Sequence, residues 1–138
     1  MKSEPYKYSY ADLVRDGRAT WDGVRNYEAR NNLRAMRAGD LLLYYHSNEG
    51  KAVVGLAQVA REAHQDPTTT DDWSAVEITP LAPLAAPVNL ATIKATPALA
   101  GMSLLRRSRL SVVEVSWPEV DVILKLGRTR LPKAARRR

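Results

Sequence analysis

The sequence predicts a small α+β domain, a mixed and mostly antiparallel sheet or partial barrel with helices packed around it. Three observations carry that expectation. Two apolar runs, LLLYYHS (41–47) and AVVGLAQVA (52–60), are joined only by NEGK, which is too short for a helical crossover, so they must pair as an antiparallel hairpin. Well-punctuated helices are signalled before and after them, at 9–17 and 116–127. The chain has 138 residues and is 45% hydrophobic, the size of one domain with a core of modest extent.

Residues 1–5 read as a short strand ended by Pro5. Ser9 then opens a helix as N-cap, with Asp12 as capping-box partner, Tyr8 and Leu13 as a hydrophobic staple, and Gly17 as the stop. A second helix is expected from about Asn26 to Arg37, closed by Gly39. LLLYYHS is apolar on both faces, as in a central strand or barrel wall, and Gly55 in the next run marks a bend or close approach. WSAVEITPL (73–81) sets Val76 and Ile78 against Glu77 and Thr79, the pattern of a half-exposed strand. NLATIKA (89–95) reads as a short helical turn and SRLSVVEV (108–115) as a final strand. The last helix takes Ser116 as N-cap, Pro118 in its first turn, Glu119 to complete the box, Val115 and Val120 as staple, and Gly127 beyond its end. Val120, Ile123 and Leu124 form its core stripe.

The net charge is +6, but six of the 21 Lys and Arg lie in the last eleven residues, RTRLPKAARRR; without them 15 basic residues face 15 acidic ones. The body is therefore neutral, and the expected division is a domain over 1–127 and a basic, disordered tail over 128–138. The absence of cysteine excludes disulfides, thiolate metal sites and cysteine nucleophiles, and two histidines, His46 and His64, are too few for a histidine metal site. No metal or cofactor is expected. The N-terminus MKSEPYKYSY has no apolar run and no segment approaches membrane-spanning length, so a cytoplasmic location without a membrane partner is expected.

The motifs KSEP (2–5), YSYADL (8–13), WDGVRNYEARNNLRAM (21–36), LLLYYHSN (41–48), VVGLAQV (53–59), DPT (66–68) and SRLSV (108–112) occur in this order. In this set the chain resembles the EVE domain family over nearly its whole length except the basic tail. WDGVRNY followed by ARN, then YHSN, is the most specific part. The resemblance implies a PUA-like fold, a β-pseudobarrel flanked by helices, related to the YTH and ASCH domains. It also implies a non-catalytic module that reads modified nucleobases, including 5-methylcytosine and its oxidised forms in DNA or modified bases in RNA. Such a module accepts an extruded base, and a monomer is expected. Family members usually carry an aromatic and an apolar residue ahead of MKSEP. Here Met1 takes the place of the methionine, so either the first strand is shortened or the true start lies upstream.

Trp21 heads the most specific motif, in a Gly-bounded loop outside any apolar stripe, and is expected to stack on the base rather than to cover the core. Trp73, after the polar loop DPTTTDD, is either a second aromatic wall or the plug of the barrel end; Tyr45 is the other candidate for the sandwich. Asn26 either caps the second helix or presents its amide to the Watson–Crick edge. Ser47 is expected to meet the polar edge as well. Alternation puts Tyr45 and Ser47 on one face and His46 on the other, and His46 is equally well a hydrogen-bonded structural residue. Val24 and Leu110 are the expected apolar patch for a methyl group. Arg109, Leu110 and Ser111 match the family's SRLSV near the pocket, and Lys2, Ser3 and Glu4 are a possible polar edge. Arg25, then Arg30, Arg34 and Arg37 on one helix face, with Arg106 and Arg107, are candidates for phosphate contacts, although such a row is usually only a solvated surface. Asp22 and Gly23 read as a tight turn, and His64 and Trp117 as structural. Two other functions compete. One is an ASCH-like hydrolase or ribonuclease using His46, Ser47, Glu4 and Arg109, though no linear spacing supports a triad. The other is a receptor for a free nucleoside-like molecule.

Overall fold

The structure is a computed structural model and describes residues 1–133. Its sheet has five strands, in the spatial order β1 (Lys2–Ser3), β3 (Leu41–His46), β4 (Ala52–Gln65), β5 (Ser74–Asn89) and β2 (Ala19–Trp21). Only β1 runs parallel to its neighbour, with Lys2 beside Tyr45 and Ser3 beside His46. The other pairings are antiparallel, including the expected β3–β4 hairpin. Around the sheet lie α1 (Pro5–Tyr8), α2 (Tyr10–Asp16), α3 (Tyr27–Ala35), α4 (Leu90–Ala95), α5 (Ser103–Arg106) and α6 (Trp117–Leu126). No helix among the described residues is long and apolar enough to cross a membrane.

The unbroken apolar character of β3 has a simple origin. Leu42 and Tyr44 point into one core, with Leu13, Leu33, Val76 and Ile78, while Leu43 and Tyr45 point into a second, with Val53, Leu84, Ile123 and Leu124. A strand covered on both faces has no solvent side to pattern. The helix signals also operate as read. Ser9 Oγ accepts from the Asp12 N–H at 3.0 Å while Asp12 Oδ2 accepts from the Ser9 N–H at 2.9 Å, and Gly17 closes α2 with a left-handed φ of 74°. Ser116 and Glu119 form the same box on α6, whose Val120, Ile123 and Leu124 are buried. The close approach expected at Gly55 is made by α2: a Cβ there would lie 2.4 Å from the Tyr10 ring, whose hydroxyl donates to the Leu56 carbonyl at 2.7 Å.

Several expectations are corrected. Residues 108–115 are not a strand. Leu110 and Val112 are buried as the alternation implied, but the backbone is clipped only at intervals. The Ser111 carbonyl accepts from the Lys2 N–H at 3.0 Å, and the Val112 carbonyl from Asn32 Nδ2 at 2.7 Å. Trp21 does not sit in a loop; it ends β2, opposite Val76. The second helix begins at Tyr27 and stops at Ala35. Strand β5 continues through Pro80, Pro83 and Pro87. Strand β2 covers β5 only at Val76–Ile78, so beyond that point β5 is a sheet edge where a missing N–H leaves no ladder bond unmade. The body also extends past residue 127. The Ala85 N–H donates to Thr129 Oγ1 at 2.9 Å, and Leu131 packs on the second core. The remainder of the expected tail, 134–138, lies outside the described residues.

Candidate nucleic-acid interface

The parallel β1–β3 pair brings two sequence-distant motifs to one end of the sheet. The Ser47 N–H donates to the Ser3 carbonyl at 2.8 Å, so KSE and HSN end side by side. Asn48 then adopts a left-handed φ of 63°, a conformation that asparagine tolerates better than most residues. Its side-chain amide donates to Glu4 Oε1. Segment 108–111 closes the other side. Lys2 latches it, donating from Nζ to the carbonyls of Arg107 at 3.1 Å and Ser108 at 3.3 Å; partial burial lowers the pKa of this lysine. Between the three segments lies an open cleft of about 350 Å³ lined by Glu4, Lys7, Ser47, Asn48, Arg109 and Ser111, among others, within the size range of small-ligand sites, about 300–1,000 Å³. Arg109 is exposed and makes no hydrogen bond or ion pair among the described residues, which leaves its guanidinium free for an anion.

The cleft therefore gathers Lys2, Ser3, Glu4, Ser47, Arg109, Leu110 and Ser111 from the sequence-expected set. Not all are free to act. Ser3 Oγ donates to the Tyr8 carbonyl at 2.8 Å, Lys2 is the latch, and Leu110 is buried. Asn48 and Ser108, also in the lining, fall inside the YHSN and SRLSV motifs already singled out, whereas Lys7 was not anticipated and only adjoins YSYADL.

The WDGVRN corner is a different construction. Asp66 is 0% exposed. Its carboxylate accepts from the Gly23 N–H at 2.8 Å, Arg25 Nη1 at 2.9 Å, the Thr68 N–H at 2.7 Å and Thr68 Oγ1 at 2.6 Å. Burial alone would raise its pKa, but these donors outweigh it and hold the carboxyl well below the usual carboxylate range. Next to this knot, Trp73 stacks on Tyr27 with ring centres 5.1 Å apart, and the guanidinium groups of Arg25 and Arg30 lie 5.6 Å and 5.7 Å from its ring. Arg30 and Arg34 both pair with Asp72, at 3.3 Å and 2.6 Å, and Arg34 also donates to Ser74 Oγ at 2.9 Å.

This geometry corrects the phosphate set. Arg25, Arg30 and Arg34 clip the loop before β5 to α3 and to the Gly23 turn, because Asp66 and Asp72 face them; Arg107 pairs with Glu28. Arg37 and Arg106 are exposed but do not line the cleft. Asn26 proves to be the helix cap, Oδ1 accepting from the Ala29 N–H at 3.0 Å. Trp73 has one face stacked on Tyr27 and does not line the cleft. Tyr45 points into the second core, and Val24 and Leu110 are buried in the first, so neither the sandwich nor the exposed methyl patch exists as expected. His46 Nε2 accepts from the Tyr10 N–H at 3.0 Å and burial lowers its pKa, so it is a neutral structural imidazole. Trp21 is half-buried and meets Tyr44 edge-on at 5.7 Å. A second cavity of about 310 Å³ opens between α3, β3 and residues 113–117. It contains Asp40 and Glu114 and no cationic side chain, so the cleft beside Arg109 is the better candidate for an anionic ligand. Among the described residues no group of three His, Cys, Asp or Glu is placed to hold a metal.

A mixed sheet with a basic cleft at the open end of its one parallel strand pair defines a small α+β domain of EVE type. The chain belongs to the EVE domain family, whose pattern matches residues 1–126. Thymocyte nuclear protein 1 of Mus musculus is 36% identical over 94% of this chain and 73% of its own length. Protein Atu2648 of Agrobacterium tumefaciens superposes with a TM-score of 0.94 at 41% identity, covering 99% of this chain and 96% of that one. Human THYN1, crystallised in complex with 5-methylcytosine-containing DNA, superposes with a TM-score of 0.85 at 31% identity, covering 95% and 97%.

Proposed function

We propose that this protein is a binding module for nucleic acid that takes a modified base, of the 5-methylcytosine type, out of its strand and into the cleft between Glu4, Ser47 and Arg109. The observation that carries the reading is the cleft itself, where an unpaired guanidinium stands beside polar groups suited to the edge of a base. Its likeness to a relative crystallised with 5-methylcytosine-containing DNA supports the ligand class. Arg109 and Lys7 meet the flanking phosphates, positioning the strand without reading it. Trp21 does not line the cleft itself; it remains partly exposed, edge-on to Tyr44, and is assigned the stacking surface because it heads the WDGVRN motif, a role the variant below tests. The module works as a monomer and without turnover: His46 holds the Tyr10 N–H and leaves Ser47 without a base.

The test is an equilibrium binding array of DNA and RNA oligonucleotides, each carrying one modified base beside an unmodified control, read with wild type and Trp21→Ala. A methyl group offers at most roughly 1–3 kcal/mol of discrimination, so wild type should favour the 5-methylcytosine strand by several-fold or more. Trp21→Ala should weaken that binding by about tenfold, the scale of one base–aromatic stack. Equal binding across the array would sink the reading. Unchanged binding by a folded Trp21→Ala would remove Trp21 from the site.

A further inference from the structure

Glu4 lines the cleft at the end of β1, and its two carboxylate oxygens have different surroundings. Oε1 accepts a hydrogen bond from the Asn48 side chain. Oε2 is shut off from solvent and accepts no hydrogen bond of good geometry. The Lys7 ammonium lies 3.4 Å from it, but that side chain is 69% exposed, and an exposed ion pair of this kind rearranges at little cost. Hydrogen bonding to the Tyr6 hydroxyl, and then the Lys7 ammonium, lower the pKa of the carboxyl below its ordinary value. A closed polar atom without a partner costs free energy unless something that binds there completes it.

An ionised carboxylate only accepts hydrogen bonds. Its missing partner therefore carries an N–H or O–H. At the edge of a base the matching group is an exocyclic amine, the donor that Glu and Asp accept from on cytosine. We infer that, as the exposed Lys7 side chain turns from Glu4 to a phosphate, Glu4 Oε2 is uncovered and reads the exocyclic amino group of the bound base, and so makes the cleft selective for amino-bearing bases, with 5-substituted cytosines as the leading class. This rests on the base-binding reading above and adds to it the residue and the atom that choose among bases. Asn48 is the positioning residue: its left-handed turn and amide hold one oxygen, which orients the other.

The experiment uses three oligonucleotides that differ at one position: cytosine, 5-methylcytosine, and 5-methylpyrimidin-2-one, which keeps the methyl group and ring N3 and lacks only the amine. Wild type should bind the 5-methylcytosine strand about 10- to 100-fold more tightly than the pyrimidinone strand, the range for a hydrogen bond to a charged group. In Glu4→Ala the two strands should bind alike. Glu4→Gln has nearly the same shape and keeps a neutral acceptor. It should reduce the ratio to a few-fold, and it provides the test if the alanine variant does not fold. A wild-type ratio near one, with 5-methylcytosine still preferred over cytosine, would overturn the role of Glu4 and leave the base-binding reading standing. A large ratio that persists in either folded variant would also overturn it. Equal affinity for all three strands would remove both.

Discussion

Asp66 shows what one buried carboxylate does for this molecule. It joins the Gly23 turn, Arg25 and Thr68 in a single knot, and so fixes the WDGVRN corner to the loop that leads into β5. Asp66→Ala should cost about 3 kcal/mol, at the low end for a buried pair because Arg25 is 40% exposed. The pH dependence follows from its depressed pKa. The unfolded carboxyl titrates near about 3.9 and the folded one lower, so the folded state binds fewer protons in between. The stabilisation is complete above the unfolded value and drains away as the pH falls through it toward the folded one. Denaturation followed from neutral to strongly acidic pH should show a shallower acid decline in Asp66→Ala than in wild type. DPT was visible as a motif, yet its role was not. Two of the four donors to Asp66 come from Thr68 within the motif, but the other two come from residues 23 and 25, more than forty positions away, and no local pattern encodes such a partner. Arg30 and Arg34 were read as candidates for phosphate contacts for the same reason, since their partner Asp72 is 42 and 38 positions away.

Helix boundaries were legible because caps are local. Ser9, Asp12 and Gly17, then Ser116 and Glu119, act within one or two turns of the chain. Strands were less so. The alternation at 108–115 reported burial correctly for Leu110 and Val112, but alternation says nothing about whether a neighbouring backbone is within ladder distance. The strand read at 73–81 runs on to Asn89, and its prolines are tolerated because β2 pairs with it only at 76–78. Gly55 is the element-scale device that could be read early and now has a cause, the Tyr10 ring lying across β4. Gly55→Ala should lower stability by about 1–3 kcal/mol, the usual cost of overpacking a closed site. Urea or thermal unfolding measures it directly. A variant as stable as wild type would mean that α2 yields freely.

At the scale of the whole molecule, two cores share one sheet, and β3, β4 and β5 contribute to both. The insertion of β1 beside β3, some forty residues away in sequence, could not be read from periodicity, yet it builds the cleft. Charge is distributed unevenly as well. The structure ties down Arg25, Arg30, Arg34 and Arg107 in ion pairs, while Arg136, Arg137 and Arg138 add three cations at the C-terminus. The terminal cations should supply affinity without selectivity. Deleting 134–138 should flatten the plot of log K against log salt by about 0.7–0.9 for each phosphate that the shortened chain no longer neutralises, with the ratio of modified to plain strand unchanged. A ratio that collapses with the deletion would place recognition in the tail.

The cleft wall at 107–111 lies outside the sheet, and that has a mechanical consequence. Leu110 and Val112 pin it to the core from below, while the Lys2 ammonium and one backbone bond hold it from the side. No ladder joins this wall to the sheet, so its stiffness comes from side chains. The site is thus a vice with one jaw of strand ends and one of loop, and the second is only as firm as the two core residues and the lysine catch that seat it.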